Sequence, residues 1–273
     1  MLDLKTGSSK QLTDAVALDR MSICLSADEK SVYYFDGTAL TETPVSSLKT
    51  RVIYQASTSR RGMTVAADGS IFFADGTHLI RISSKQKPVA IAEAAAIDFV
   101  IARPKVAQLV YRSNGGVSLV NLDGTSARKL KLEPGRNEEM LWTPSGRSLI
   151  YLHVPDDARE LITLRENIPD EGTDREIART SQFAAVSANG DASVFTGASR
   201  GKASAYVLIL LRVTRRELTL CEHRASDARI VSPIFTPDSQ SVVFVSDRHG
   251  KPALYRVQVE KFVEATGDEP SKF

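Results

Sequence analysis

The chain has 273 residues, with 35 lysines and arginines against 33 aspartates and glutamates, so its formal net charge is +2. This balance excludes a protein built mainly to bind nucleic acid, which needs a concentrated positive field. Apolar residues make up 42% of the chain, enough for a large buried core and too many for a disordered chain. All-β folds of this length often form one unit, and we expect a single domain over residues 1–273.

The amino-terminal residues predict no secretory signal, because no basic segment followed by an apolar run is visible there. We therefore expect a cytoplasmic protein, or a periplasmic one if a leader has been lost with an upstream segment. The longest apolar run is Tyr206–Leu211, far short of the roughly 20 residues of a spanning helix, so we expect no membrane span. Cys24 and Cys221 lie in apolar strand-like runs and are interpreted as buried free thiols, with a disulfide as the alternative.

One short pattern recurs along the chain: an apolar pair, a small residue, a tight turn and an alternating apolar run. Six copies have their fourth residue at positions 28, 68, 105, 145, 189 and 238, which gives spacings of 40, 37, 40, 44 and 49 residues. The turns include Ala-Asp-Gly at 67–69 and Pro-Asp at 237–238. Pro presets φ, Asp accepts backbone hydrogen bonds and Gly adopts positive φ, so each copy predicts a hairpin. Two further turns and strands follow most hairpins.

Four strands in roughly 42 residues is the size of one β-propeller blade. We therefore predict an all-β chain, a β-propeller of four-stranded antiparallel blades, with six blades; the alternative is seven blades with a truncated first one. The expected repeats span residues 15–57, 58–94, 95–134, 135–180, 181–226 and 227–262, and a polar tail follows at 263–273. The last repeat has three strands, and we expect the amino-terminal segment 1–14, through residues 10–13, to supply the fourth and close the propeller.

Residues 154–180 make the fourth repeat irregular. This segment is rich in Asp, Glu and Arg and contains Pro155 and Pro169. A long outer hairpin is one interpretation, and a lid over the central channel is the other.

The last repeat carries a family resemblance. Residues 235–256 read FTPDSQSVVFVSDRHGKPALYR and look like the repeat of TolB-type β-propellers. In that repeat a Pro-Asp turn precedes an apolar strand, which is followed by Ser-Asp-Arg, Gly and an aromatic residue. The resemblance covers nearly the whole chain and implies the propeller fold. It implies little about function, because the repeated residues build turns and strands.

A narrower set of segments, at 36–40, 47–54 and 217–226, is similar to oligogalacturonate lyases. This resemblance implies β-elimination of oligouronides, with a metal held by histidines and by a glutamine just before the last Pro-Asp turn. Here residues 228–235 contain no histidine and no glutamine, and His223 is the only family-like histidine nearby. We therefore expect no metal site and no cofactor; the alternative is a divalent cation such as manganese or calcium.

The histidines are expected in loops on one face of the propeller, around the mouth of its channel, where pockets usually lie. One interpretation is a ligand site formed by His153, Asp227, Asp247 and His249. The other is a set of solvated loop side chains, because the histidines lie in different blades and lack close metal-ligand spacing.

Known catalytic signatures are missing from the sequence, which has no nucleophile elbow, phosphate loop, dinucleotide fingerprint or Cys-x-x-Cys pair. We therefore favour a non-catalytic propeller scaffold, a monomer that binds a protein or saccharide ligand at the channel face and no nucleic acid. The alternative is an enzyme similar to oligogalacturonate lyases. Its candidate catalytic residues are His223, Arg224 and Arg229, since β-elimination needs a base and a positive group that holds the developing charge.

Overall fold

The computed structural model describes residues 1, 3, 6–19, 22–57, 60–84, 86–157, 159–180, 183–199 and 205–259. The chain divides into two compact units, unit 1 (Met1–Leu130) and unit 2 (Lys131–Phe273), and each unit contains three antiparallel sheets. The predicted polar tail at 263–273 lies outside the described residues.

Unit 1 holds three four-stranded sheets in which each strand pairs with its neighbours in sequence. Its strands are β1 (Cys24–Leu25), β2 (Ser31–Asp36), β3 (Ala39–Pro44), β4 (Arg51–Gln55), β5 (Arg60–Val65), β6 (Ile71–Asp75), β7 (His78–Ser83), β8 (Gln86–Glu93), β9 (Phe99–Ala102), β10 (Gln108–Ser113), β11 (Gly116–Asn121) and β12 (Arg128–Lys129). β6 is buried at every residue, as expected for a strand with packed layers on both faces.

Unit 2 holds two four-stranded sheets and a last sheet with three described strands. Its strands are β13 (Arg136–Trp142), β14 (Leu149–Val154), β15 (Ile162–Ile168), β16 (Thr173–Thr180), β17 (Val186–Ala188), β18 (Val194–Ala198), β19 (Tyr206–Leu211), β20 (Arg216–Glu222), β21 (Ile234–Phe235), β22 (Ser241–Ser246) and β23 (Ala253–Gln258), and a short 3-10 helix (Ala228–Ile230) precedes β21. β15 and β16 pair over their whole length, so residues 154–180 contain the long hairpin that the sequence suggested.

Apolar clusters join consecutive sheets within each unit. In unit 1, Phe35 and Leu40 of the first sheet pack with Phe73 of the second. In unit 2, Ile209 of the fifth sheet packs with Phe244 of the sixth. Burial of these large side chains between sheets is the main stabilising contribution of such a core.

The recurrent turns are built by side chains that accept backbone hydrogen bonds. In the last sheet, Asp238 Oδ1 accepts from Gln240 N–H at 3.1 Å and from the Thr236 hydroxyl at 2.5 Å. Asp28 and Asp191 make the same type of turn earlier in the chain, each accepting from the amide two residues on. This is the local chemistry that the sequence repeat encodes.

These observations confirm the prediction of an all-β chain with six antiparallel sheets. Residues 10–13 lie outside the strands of the described chain. Lys10 Nζ donates to the carbonyl of Val45 at 3.0 Å, and the Thr13 hydroxyl donates to Tyr34 Oη at 2.6 Å. The role of this segment in closing the propeller stays a prediction.

The two cysteines are free thiols, as expected, although both are half-buried rather than fully buried. Cys24 Sγ donates to the carbonyl of Met63 at 3.2 Å. Burial raises the pKa of the Cys24 thiol to about 11, so it stays protonated and unreactive at neutral pH.

Candidate functional site

Two loops of unit 2 meet at the ends of the last two sheets. Residues 222–229 follow β20, and residues 246–249 join β22 to β23; we call them together the loop cluster. Ser226 N–H donates to Asp247 Oδ1 at 2.7 Å, and the Ser226 hydroxyl donates to Asp247 Oδ2. The Ser246 hydroxyl donates to the carbonyl of His223 at 2.6 Å. The structure therefore brings His223 of the fifth repeat together with Asp227 and Asp247 of the sixth.

His223 is a buried member of the loop cluster, with 2% of its surface exposed. Its Nδ1 lies 3.0 Å from the Ala225 amide and accepts the hydrogen of that N–H group. The neutral ring therefore carries its proton on Nε2. In this arrangement Nδ1 is occupied, and His223 acts as a fixed part of the loop rather than as a ready proton acceptor.

Asp247 and Asp227 supply the negative charge of the loop cluster. Hydrogen bonds from the Ser226 hydroxyl and amide lower the pKa of the Asp247 carboxyl, although the nearby charge of Asp227 opposes that shift. Asp227 accepts from the Arg229 amide at 2.9 Å and caps the 3-10 helix. Both carboxylates therefore already accept hydrogen bonds within the loop cluster.

The candidate arginines lie at the surface in local ion pairs. Arg229 Nη2 lies 2.8 Å from Asp227 Oδ2, and the Arg229 side chain is 78% exposed. Arg224 Nε lies 2.7 Å from Glu222 Oε2 and is also exposed. Exposed pairs of this kind are weak because water screens them, so either guanidinium can exchange its partner for an anionic ligand.

Arg248 is a residue of the loop cluster that the site prediction missed. Its Nη2 donates to the carbonyls of Glu222 at 2.6 Å and His223 at 3.1 Å, and its guanidinium carbon lies 4.5 Å from the centroid of the Tyr255 ring. Arg248 thus ties the two loops together. The signal available in the sequence is the Ser-Asp-Arg triplet at 246–248 of the last repeat.

His249 and His153 are the two histidines of the predicted ligand site. His249 is exposed, and its Nδ1 lies 2.7 Å from Tyr255 Oη at the edge of the loop cluster. His153 ends β14, where its Nε2 lies 2.8 Å from the Pro134 carbonyl and its Nδ1 lies 3.4 Å from the Thr163 hydroxyl. It lines a cleft of about 430 Å³ beside the β15–β16 hairpin, which we call the hairpin cleft. Of the four predicted ligand residues, Asp227, Asp247 and His249 belong to the loop cluster, and His153 lines the hairpin cleft.

Metal-ligating side chains are sparse in this part of the molecule. Across the described residues, no group of three or more His, Cys, Asp or Glu side chains is placed to hold a metal ion. No helix among those residues is long and apolar enough to cross a membrane.

Comparison of the sequence with known proteins identifies a relative whose activity is known. No protein-family model matches the chain. An oligogalacturonide lyase of Pectobacterium atrosepticum is 27% identical over 165 residues, which are 51% of this chain and 42% of the relative. The match thus spans less than half the length of that relative.

Three solved structures share the fold of this chain. The oligogalacturonate lyase of Vibrio parahaemolyticus covers 94% of this chain and 82% of its own, with a TM-score of 0.82 and 21% identity. An oligogalacturonate lyase in complex with manganese covers 94% of this chain and 81% of its own, with a TM-score of 0.81 and 22% identity. TolB from Acinetobacter baumannii covers 87% of this chain and 60% of its own, with a TM-score of 0.54 and 13% identity.

These findings change two expectations. The prediction that no cofactor takes part is wrong, because a lyase structure that matches nearly the whole chain holds manganese. The preference for a non-catalytic scaffold is not supported either, since the two highest TM-scores given above are both those of lyases. The chain has a β-propeller fold with six sheets, and it resembles both TolB-type propellers and oligogalacturonate lyases.

Proposed function

We propose that the protein is an enzyme of the oligogalacturonate lyase type, which cleaves an acidic oligosaccharide by β-elimination. The observation that carries this proposal is the agreement of two comparisons, the 27% identity to a lyase over 165 residues and the TM-score of 0.82 over 94% of the chain. The loop cluster is the candidate active site, because it combines carboxylates with exposed arginines.

β-Elimination next to a carboxylate removes the proton on the α-carbon, forms a carbon–carbon double bond and breaks the bond to the leaving oxygen, which then takes up a proton. The substrate carboxylate becomes more negative as the α-proton leaves. A guanidinium binds a carboxylate through two parallel hydrogen bonds, so it holds the charge that develops. Arg229 and Arg224 are placed for this role because each is exposed and each is bound only by weak surface pairing.

The proton acceptor in this proposal is Asp227. When the substrate carboxylate takes the Arg229 side chain, Asp227 loses the hydrogen bonds that it accepts from Arg229 Nε and Nη2. Loss of these bonds makes the carboxylate a stronger base at the moment when substrate is bound. Asp247 is a poorer candidate, because Ser226 donates to both of its oxygens and lowers its pKa.

A divalent cation belongs to this proposal, because one matching lyase structure contains manganese. The described side chains of the loop cluster do not fit such an ion as they stand. Asp227 is bound by Arg229, both oxygens of Asp247 accept from Ser226, and Nδ1 of His223 accepts from an amide. We therefore assign no ligands to the cation and no step of the reaction to it.

The test measures the ultraviolet absorbance of the unsaturated product when the full chain is mixed with oligogalacturonate. Reactions contain manganese, calcium or a chelator. We expect product formation with a divalent ion, and a loss of at least about tenfold in kcat/KM for Arg229→Ala. Arg147→Ala is the matched control, because it removes an exposed arginine paired with Glu171 at another turn of unit 2. A folded protein that forms no unsaturated product under any of these conditions would refute the proposal.

A non-catalytic scaffold remains the second candidate, favoured by one observation. Residues 228–235, before the last Pro-Asp turn, hold no histidine and no glutamine, and the described residues form no three-ligand metal group. Binding of oligogalacturonate without turnover, measured by calorimetry, would favour this candidate over the lyase.

A further inference from the structure

A cleft lies between the second and third sheets of unit 1, and we call it the inter-sheet cleft. Its volume of about 590 Å³ lies within the range of small-molecule sites, roughly 300–1,000 Å³. The turns that follow β5, β9 and β11 form its walls. It shares no residue with the loop cluster, and the proposed function does not use it.

The inter-sheet cleft offers an apolar surface. Leu122, with 7% of its surface exposed, lines the cleft together with Ala67 of the second sheet and Ala107 of the third. Val106 also lines it and is 39% exposed, which is high for a large apolar side chain. An apolar ligand group that covers this surface removes it from water, which favours binding.

Two opposite charges face the same cleft. Lys105 and Asp123 both line it, and both are exposed. Asp123 Oδ1 accepts from the Thr125 amide at 2.9 Å and from the Thr125 hydroxyl at 2.6 Å. These hydrogen bonds lower the pKa of the Asp123 carboxyl, so it is ionised at neutral pH, and they leave Oδ2 as an acceptor. Neither Lys105 nor Asp123 forms an ion pair within the part of the chain that the structure describes.

The other charged groups of the cleft already have partners. Arg81 Nη2 lies 3.1 Å from Asp68 Oδ2, and Arg81 Nε donates to the Ser70 hydroxyl at 3.2 Å. The Arg81 charge also acts on Asp123, but it lowers the pKa of that carboxyl less than the Thr125 hydrogen bonds do. A ligand in the cleft therefore meets one available cation and one available anion, which together complement a zwitterion.

Two half-buried side-chain amides complete the lining. Gln108 Nε2 donates to Asn121 Oδ1 at 3.2 Å, and Gln108 Oε1 accepts from Arg103 Nη1 at 2.8 Å. Asn121 Nδ2 donates to the Thr125 hydroxyl at 2.9 Å. Each amide nitrogen carries two hydrogens and uses one of them in these bonds, so each can donate the other to a carbonyl of a ligand. Because the amides are held by the chain itself, binding costs less entropy.

We propose that the inter-sheet cleft binds a zwitterionic peptide of two or three residues with an apolar side chain. Lys105 binds the terminal carboxylate, and Asp123 binds the terminal ammonium. Gln108 and Asn121 donate to the peptide carbonyls between the two ends, and the apolar side chain packs on Leu122. The proposal concerns binding alone and holds whether or not the loop cluster catalyses elimination.

The test is calorimetric titration of the full chain with the peptides Ala-Leu and Ala-Ala-Leu. Each is used with free ends, with an acetylated amino end and with an amidated carboxyl end, and Gly-Gly serves as the peptide without an apolar side chain. We expect at least one of the two free peptides to bind with a Kd below about 1 mM, and its blocked forms and Gly-Gly to bind at least about tenfold more weakly. Failure of both free peptides to bind, or equal binding of a blocked form, would overturn the proposal.

Variants locate the two ends of the peptide. Lys105→Met is expected to weaken binding of the free peptide at least about tenfold and to leave the affinity of the amidated form unchanged, because that form lacks the carboxylate. By the same reasoning, Asp123→Asn should weaken the free peptide and spare the acetylated form. Unchanged affinity of the free peptide in both variants would refute the site.

Matched controls test whether these effects are local. Lys87→Met removes another exposed lysine of unit 1, on β8. Asp191→Asn changes a carboxylate that accepts from the Ser193 amide at 2.9 Å and from its hydroxyl at 2.6 Å, as Asp123 does from Thr125. Both controls and Arg229→Ala should leave peptide binding unchanged, so failure of the catalytic proposal is separable from failure of this one. Equal losses in the controls and the cleft variants would contradict the assignment, and circular dichroism checks that each variant is folded.

Discussion

Two arginine–carboxylate groups in unit 2 have the same chemistry and differ in burial. Glu166 lies on β15 with 4% of its side chain exposed, and its Oε2 accepts from Arg175 at 2.6 Å and from Arg212 at 2.7 Å. Because Arg175 is on β16 and Arg212 follows β19, this carboxylate joins the fourth sheet to the fifth. Asp227 and Arg229 of the loop cluster are two residues apart and exposed.

The difference in burial separates a structural role from a binding role. Burial of the Glu166 carboxyl acts to raise its pKa, but hydrogen bonds from Arg212, Ser148 and Arg175 outweigh that effect, so the pKa is lowered. A buried, ionised carboxylate needs its arginine partners to compensate its charge, and removing either side of the pair leaves an uncompensated charge in the protein. The Asp227–Arg229 pair is surrounded by water and can be broken by a ligand at little cost.

The largest expected effect is that of Glu166→Gln. This substitution keeps the shape of the side chain and removes the charge that both arginines need. We expect the free energy of unfolding to fall by about 2–4 kcal/mol. This loss is smaller than that expected for a fully buried ion pair, because Arg175 is largely exposed. Urea unfolding measures it. Glu171→Gln, which removes the exposed partner of Arg147, is the control and should cost less than about 1 kcal/mol. Equal losses in the two variants would contradict the role of burial.

The same carboxylate predicts a pH dependence. The pKa of Glu166 is lower in the folded than in the unfolded chain, so the ionised form favours folding. Its contribution is complete above the unfolded pKa, about 4.3, and is lost as the pH falls through the lower folded value. We therefore expect the stability difference between the protein and Glu166→Gln to be constant near neutral pH and to shrink at acid pH below that value. A difference that stays constant down to acid unfolding would refute this assignment.

The next effect is that of Gly135→Ala, beside His153 of the hairpin cleft. Gly135 has φ +127°, and a Cβ there would lie 2.8 Å from His153 Nε2. We expect a loss of about 1–3 kcal/mol, since both the backbone and the histidine must shift. Gly116→Ala separates the two causes, because Gly116 has φ +100° with no atom within 4 Å of the added Cβ. If both variants lose the same stability, the contact with His153 contributes nothing.

The fold was predictable from the sequence because its turns are formed by side chains that lie close together in sequence. The turn at Asp238 is made by side chains within five residues of one another, and it recurs at Asp28 and Asp191. The site was predicted less well because its contacts join loops that are far apart in sequence. Ser226 binds Asp247 across 21 residues, and no periodicity or spacing reports such a contact.

A smaller effect is expected for Ser226→Ala. The pKa of Asp247 is lowered mainly by the Ser226 hydroxyl, so its removal should raise the pKa of Asp247 toward its ordinary value. Carbon-13 NMR titration of the carboxyl groups measures this shift. Ser193→Ala is the matched control, because the Ser193 hydroxyl donates in the same way to Asp191 at 2.6 Å. It should raise the pKa of Asp191 and leave that of Asp247 unchanged; a shift at Asp247 in both variants would show that the effect is not local.

The smallest effect on stability is expected for Arg229→Ala, and it sharpens the contrast with Glu166. The guanidinium is exposed and its partner is two residues away, so its loss should leave the free energy of unfolding almost unchanged. Urea unfolding of this variant beside Arg147→Ala measures the change. A loss near that of Glu166→Gln would mean that Arg229 holds the loop cluster in shape. Its availability to a substrate carboxylate, on which the proposed reaction depends, would then be lost.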